Sequence, residues 1–156
     1  MANEQAIQQE LQDKFPYFNE KITISRDRRI WAEVEQANFF EAFDYIVKKM
    51  DFPILPLLFG LDSGENLEFI YLLARRDGTM LNLKTFVPKS NPVHKTISID
   101  YFPNADLYER ELIDLFGAKI EGMREGSRYP LTDDWPEGQY PMLKDWTVDM
   151  LDKKDL

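Results

Sequence analysis

The order of helix-like and strand-like segments in the first ninety residues constrains the fold more than any other feature. In some segments apolar residues recur every three to four positions, as on one face of a helix, and in others they alternate with polar residues, as in a half-buried strand. Helices are predicted at 4–15 and from residue 38 to about residue 50. Strands are predicted at 21–26, 29–34, 54–61, 67–74 and 80–87.

This order predicts an α+β fold, a two-layer sandwich in which a mostly antiparallel sheet carries helices on one face. The sequence runs helix, strand, strand, helix, strand, strand, strand, and continues into one more helix and an irregular C-terminal extension. Asp77 and Gly78 form a favoured hairpin turn between the last two strands. We predict a single α+β domain at 1–122 and an extended tail for partner docking at 123–156.

The segment ADLYERELIDLFG, residues 105–117, is predicted to be a helix that begins after Asn104 and ends before Gly117. Asparagine is favoured at the N-cap, and glycine readily takes the left-handed conformation that closes a helix. At about 100° per residue, one arc of this helix is apolar and is expected to face the core. Arg110 and Asp114 lie opposite that arc with i, i+4 spacing, which favours an ion pair. The residues of the arc are Leu107, Tyr108, Leu112, Leu115 and Phe116.

Two carboxylates do not fit the apolar arc. Glu111 falls inside it, and Glu109 lies on a flank beside Phe116 together with Ile113. A buried carboxylate needs a cation or several hydrogen-bond donors. Three interpretations remain open. Glu111 pairs with a basic residue of its own domain, such as Arg128 or Lys144; or Glu109, Glu111 and Ile113 face a partner subunit; or, least favoured, these carboxylates are catalytic, although local spacing ties no second titratable group to them.

The tail after Gly122 has no regular periodicity but contains bulky aromatic residues. Prolines in the tail block a continuous helix or a central strand. Trp135 and Trp146 must nevertheless be buried against something. Either they pack back on their own domain or they insert into a neighbouring protein, because tryptophan is enriched among interface anchors.

Composition excludes several kinds of site. The chain has no cysteine, which rules out disulfides, thiolate zinc sites and cysteine-ligated iron–sulfur clusters. Its one histidine, His94, is predicted to be solvated in a loop rather than catalytic or metal-binding. No window approaches the ~20 apolar residues of a membrane span, so no direct span is expected. Glycine-rich phosphate loops and metalloprotease motifs are also absent from the sequence.

Negative charge is concentrated in the C-terminal third. Residues 100–156 contain 14 acidic and 7 basic side chains, and the whole chain has a net charge of −9. Such a surface disfavours nucleic acid, and it suits either a basic partner surface or simple solubility. Asp133, Asp134 and Glu137 could bind a hard cation weakly, but a turn, a cap or a salt-bridge site is the favoured interpretation.

Three motifs in order resemble the 30 kDa subunit family of respiratory NADH:quinone oxidoreductase (complex I). They are YERELIDLFG, RYPLTDDW and PMLKDW. The family pattern is close to E-R-E-x-x-D-x-F-G, then R-x-L-x-x-D-W, then P-L-R-K-D. The matching residues are Glu109, Arg110, Glu111, Asp114, Phe116, Gly117, Arg128, Leu131, Asp134, Trp135, Pro141, Lys144 and Asp145.

The sequence also departs from the family pattern. Met123 and Arg124 follow Gly122 where the family often has His-Pro, and Ser127 and Leu143 stand where the family has arginines. These departures leave room for related complexes, which are energy-converting hydrogenases, formate hydrogenlyases and F(420)H(2) dehydrogenases.

The resemblance implies a non-catalytic assembly subunit with no cofactor of its own. It implies docking on the hydrogenase-large-subunit-like (49 kDa) chain, close to the small iron–sulfur chain, at the cytoplasmic face of the membrane. Iron–sulfur clusters, flavin or nickel–iron would belong to partner subunits. The alternatives are a stand-alone α+β binding or adaptor domain, or an acid–base enzyme using Glu109 and Glu111. The residues expected at the partner interface are Glu109, Arg110, Glu111, Asp114, Phe116, Asp134, Trp135, Lys144 and Asp145.

Overall fold

The computed structural model describes residues 2–151. Within this range the structure has three α-helices and seven strands, and the helices and the first five strands follow the order predicted from the sequence. No helix in this described range is long and apolar enough to cross a membrane. The helices are α1 (Ala2–Lys14), α2 (Phe39–Lys48) and α3 (Ala105–Phe116). The strands are β1 (Ile22–Arg26), β2 (Arg29–Val34), β3 (Ile54–Asp62), β4 (Asn66–Ala74), β5 (Met80–Pro88), β6 (Val93–Lys95) and β7 (Lys119–Glu121).

Strands β1 to β5 form one sheet in the order β1-β2-β5-β4-β3. The β1 and β2 strands are antiparallel, with Ile22 opposite Ala32, whereas β2 and β5 are parallel, with Ile30 beside Leu81. After β2 the chain leaves the sheet through α2 and re-enters it with β3 at the far edge. Strands β4 and β5 then run back towards β2, and β5 lies parallel to β2. The mostly antiparallel α+β sandwich predicted from the sequence is confirmed.

The chain divides into two compact units, the first of which contains residues 2–58 and 69–86. Its core joins α1 and α2 to the sheet through fully buried apolar side chains. The Tyr71 ring of β4 lies 4.7 Å from the Phe39 ring and 5.6 Å from the Phe43 ring of α2. Aromatic contacts at these distances add stability beyond that of the area that they bury. Phe39 and Phe43 of α2 are therefore part of the core.

The second unit contains residues 59–68 and 87–151, and therefore α3, β6, β7 and the tail up to Leu151. The structure thus groups the tail with α3, whereas the sequence suggests a boundary at residue 122. Gly60 of β3 lies under α3, since a Cβ atom there would be 2.8 Å from Leu112 and 3.0 Å from Phe116. A glycine at this position allows the helix to approach the strand closely.

Strands β6 and β7 form a short parallel pair that the sequence does not predict, with His94 opposite Ile120. Placing His94 in a solvated loop is wrong, because its side chain is buried. Burial lowers the pKa of His94 to about 4, so the imidazole is neutral at neutral pH. A strand of three residues is too short to produce a recognisable alternation.

Candidate docking site

Helix α3 ends as the sequence predicts. Gly117 has φ +73°, its amide donates to Ile113 O at 3.0 Å, and the Ala118 amide donates to Leu112 O at 3.2 Å. The bond from the Gly117 amide to Ile113 O is the one that closes an αL motif, which requires a left-handed residue after the last turn. A Cβ atom on Gly117 would lie 2.6 Å from the Tyr140 ring, so the glycine also makes room for the tail. Asn104 occupies the N-cap position, but its side chain forms no capping hydrogen bond.

The buried face of α3 differs from the predicted apolar arc. Leu112 and Phe116 are buried as expected, but the expectation that Leu107 faces the core is wrong, because its side chain is 53% exposed. Glu109 and Asp114 are buried instead. A helical wheel assigns carboxylates to the solvent side. This assignment is wrong for Glu109 and Asp114 because both accept hydrogen bonds from donors inside the unit.

Glu109 holds the segment that precedes α3. Its side chain is 1% exposed. One carboxylate oxygen accepts from the Ile97 amide at 2.7 Å, and the other accepts from the Thr96 hydroxyl at 2.5 Å. Burial raises the pKa of Glu109, and the hydrogen bonds from Thr96, Ile97 and Ser98 oppose this shift only in part. The interpretation that Glu109 faces a partner is therefore corrected: its contacts lie within its own unit.

Arg110 holds the loop that follows β7. Its guanidinium is oriented by Asp106 at 2.8 Å and donates to Arg124 O at 3.0 Å and Ser127 O at 3.2 Å. Gly126 lies directly against the guanidinium, since a Cβ atom there would be 2.4 Å from Nη2. The predicted pair between Arg110 and Asp114 is wrong, because Arg110 pairs one turn towards the N-terminus instead.

Asp114 holds the next part of the tail. It accepts from Arg128 Nε at 3.1 Å and from the Leu131 amide at 3.1 Å. The Arg128 guanidinium also donates to Trp135 O at 2.7 Å. Arg128 is therefore the partner of Asp114. The interpretation that Arg128 pairs with Glu111 is wrong. A carboxylate and a guanidinium that are each further hydrogen-bonded make a stable, oriented pair.

The tryptophans of the tail pack against their own chain. The Trp135 indole donates to Gln139 O at 2.8 Å, and the Trp146 indole donates to the Gln139 side-chain oxygen at 2.8 Å. Their rings lie 6.0 Å apart. Tyr140, next to Gln139, contacts Gly117. Trp135 and Trp146 therefore pack back on their own chain, which is the first of the two alternatives that the sequence leaves open.

An ionic cluster that the sequence does not reveal joins the tail to the β3–β4 turn. Asp62 accepts from Lys89 Nζ at 2.8 Å and from the Lys144 amide at 2.9 Å, and Lys89 also pairs with Asp145 at 2.6 Å. Lys144 contributes its backbone to this contact. Burial acts to raise the pKa of Asp62, but Lys89 and the Lys144 and Gly64 amides outweigh it and lower the pKa to about 2.

This pKa gives a testable pH dependence. The Asp62 carboxyl has an ordinary pKa of 3.8 and a folded-state pKa of about 2. Its contribution to stability is therefore fully present above about pH 4 and is lost as the pH falls towards about 2. Urea unfolding measured in steps from pH 5 to pH 2 should show the wild type approaching Asp62→Asn in stability. A constant difference between the two over this range would contradict the assignment.

The outward face of α3 combines apolar residues with one carboxylate. Leu107, Glu111 and Leu115 lie at i, i+4 and i+8 and share a face. Met142, which is 54% exposed, donates its amide to Leu115 O at 3.1 Å. We call these four residues the α3 outer face. Within residues 2–151, Glu111 forms no ion pair or hydrogen bond, so its side chain is available to another molecule.

The arrangement gives little support to acid–base chemistry. Glu109 is buried in the unit, whereas Glu111, two residues further along the helix, lies on a different face and is partly exposed, so the two carboxylates do not share a site. No cluster of three or more acidic or histidine residues in the described part of the chain could hold a metal ion. A hydrogen bond from the Thr132 side chain lowers the pKa of Asp134, which fits a turn rather than a cation site.

Comparison with known proteins places the chain in a family. Residues 32–150 match the model of the respiratory-chain NADH dehydrogenase 30 kDa subunit. The chain therefore belongs to this family of complex subunits, and the resemblance drawn from the three motifs is confirmed.

Individual relatives agree with this placement. The membrane-bound hydrogenase subunit beta of Pyrococcus furiosus is 28% identical over 93% of this chain and 87% of its own. A subunit of the F(420)H(2) dehydrogenase of Methanosarcina mazei is 30% identical over 90% of this chain and 89% of its own. One protein in the structure of the membrane-bound sulfane sulfur reductase, an archaeal respiratory membrane complex, superposes with a TM-score of 0.81 at 27% identity, covering 95% of this chain and 87% of that one.

Proposed function

We propose that this chain is a structural subunit of a membrane-associated oxidoreductase complex, where it docks the hydrogenase-large-subunit-like (49 kDa) chain close to the small iron–sulfur chain. In this role the chain carries no redox group. Iron–sulfur clusters, with flavin or nickel–iron, belong to its neighbours, and the chain reaches the cytoplasmic face of the membrane through them. The family membership and the relatives that are named as subunits of such complexes support this proposal.

The single observation that carries the docking role is that most charged residues of α3 contact their own unit, whereas Glu111 does not. Glu109, Arg110 and Asp114 are occupied by contacts inside the unit. The α3 outer face is left with Glu111 between Leu107 and Leu115. An unpaired carboxylate surrounded by apolar side chains is costly to cover unless the covering surface supplies a cation. We therefore expect a partner that presents lysine or arginine within an apolar patch.

Charge reversal at Glu111 tests this proposal. With Glu111→Lys, the recovery of companion subunits on a tagged chain, purified from its native host in mild detergent, should fall by about tenfold or more, because like charges repel in a desolvated interface. Glu41→Lys makes the same charge change at an exposed position on α2 and should leave recovery unchanged. Equal recovery with both variants would exclude the α3 outer face as the docking site.

The companions recovered with the wild-type chain identify the complex. A hydrogenase-like large chain with nickel and iron would indicate an energy-converting hydrogenase or formate hydrogenlyase. Flavin and iron without nickel would indicate an NADH or F(420)H(2) dehydrogenase. Recovery of the chain alone would contradict the subunit proposal.

A further inference from the structure

The cluster around Asp62 connects three segments that are distant in the sequence. One oxygen of Asp62 accepts from the Gly64 amide at 2.8 Å and so closes the β3–β4 turn. The other oxygen receives Lys89, which follows β5, and the Lys144 amide, which is 82 residues away. The Asp62 side chain is 1% exposed and that of Asp145 is 82% exposed. The contact is therefore built around a buried carboxylate and not around a surface pair.

We infer that Asp62 is a positioning residue that fixes tail segment 140–146 in its docking conformation before any partner binds. The statement that this conformation is the one used for docking rests on the proposed function. Segment 140–146 is joined to α3 through the Met142 amide and Leu115 O and to the β3–β4 turn through the Lys144 amide and Asp62. It contains Met142 of the α3 outer face, so its position determines whether that face is complete.

The chemistry of the cluster favours Asp62 over the exposed carboxylate as the anchor. A buried carboxylate that accepts both an ammonium and backbone amides forms charge-assisted bonds, which are about twice as strong as neutral ones. The exposed Asp145 contributes a pair of the surface kind, and such pairs contribute little. A tail that is ordered in advance avoids most of the ordering cost that a flexible segment pays on binding.

Hydrogen exchange in the full chain without partners tests the positioning role. With Asp62→Asn, exchange of the Lys144 amide should accelerate by about tenfold or more, as expected for losing a hydrogen bond to a charged group. Asp145→Asn removes only the exposed carboxylate and should change this rate by less than about threefold. A wild-type rate for the Lys144 amide in Asp62→Asn would overturn the inference.

A second variant keeps the test decisive if Asp62→Asn does not fold. Lys89→Met removes the cation while leaving the carboxylate and its backbone donors, and it should also accelerate exchange across 140–146. Unchanged exchange in Lys89→Met, with α2 amides protected as in the wild type, would overturn the inference in that case.

Partner recovery separates this inference from the proposed function. If Asp62→Asn loosens the tail and also lowers companion recovery, the docking conformation is the one that Asp62 fixes. If the tail loosens but recovery equals that of the wild type, the positioning role in docking is overturned and the subunit proposal is unaffected. Failure of the subunit proposal would instead appear as an absence of companions with the wild-type chain.

Discussion

Replacing Glu109 by alanine is expected to lower the free energy of unfolding by about 3 kcal/mol. The change leaves the buried Ile97 amide and the Thr96 hydroxyl without their acceptor. Each unsatisfied buried group costs about 1–3 kcal/mol, and the space left by the side chain adds to the loss. Urea unfolding at pH 7 measures the change, and a loss below about 0.5 kcal/mol would contradict the role of Glu109.

Glu109→Gln is the matched control for this prediction. Glutamine keeps the shape and an acceptor for the Ile97 amide, and its amide group can donate to the Thr96 hydroxyl. We expect it to retain most of the stability. Since the folded chain has a raised Glu109 pKa, this carboxyl lowers stability as the pH rises above its ordinary value of 4.5. The glutamine variant should lack that pH dependence.

The second large effect is expected for Asp114→Ala. This change removes the carboxylate that holds Arg128 and the Leu131 amide. Within residues 2–151 it leaves the half-buried guanidinium with Trp135 O as its remaining acceptor. Removing one partner of a buried pair costs about 3–5 kcal/mol. Because Arg128 is partly exposed, we expect the free energy of unfolding to fall by about 2–3 kcal/mol. Hydrogen exchange should accelerate most at residues 128–135, and companion recovery should fall with it.

Asp133→Ala provides the control for Asp114→Ala, because Asp133 is an exposed carboxylate in the same tail. The free energy of unfolding of Asp133→Ala should stay within about 0.5 kcal/mol of the wild type, as for most surface substitutions. Its amide exchange rates at residues 128–135 should equal those of the wild type. If the two variants behave alike, the ordering of the tail does not depend on Asp114.

The regular elements could be predicted from the sequence because each has a strong local signal. The strands β1 to β5, helix α2 and the Gly117 closure of α3 all occur as expected. The two-stranded β6–β7 pair and the burial of His94 could not be predicted, because three-residue strands carry no period.

The buried face of α3 could not be derived from its amphipathic pattern. A helical wheel assigns each residue by its own polarity, whereas Glu109 and Asp114 are buried by virtue of donors supplied from elsewhere in the unit. The same wheel assigns Leu107 to the core, whereas its side chain is exposed. The Asp62 cluster was also beyond sequence reasoning, because it depends on a contact with the amide of Lys144, 82 residues away.

The three family motifs therefore have two physical roles. Most of their charged residues, including Arg110, Asp114 and Arg128, hold the irregular segments to α3. Glu111 is partly exposed and shares a face with Leu107 and Leu115, and we propose that it contacts another subunit. The roles in assembly predicted for Asp134, Trp135, Lys144 and Asp145 remain predictions, and the contacts of the last three suggest that they act by shaping the tail.

The most direct measurement is a cryo-EM structure of the complex recovered with the tagged chain. We expect Glu109, Arg110 and Asp114 to keep their contacts inside the unit. We also expect a neighbouring subunit to cover Leu107 and Met142 and to place a basic side chain on Glu111. A structure in which the α3 outer face stays in solvent, or in which Glu109 turns outward to bind a neighbour, would contradict the proposed docking role.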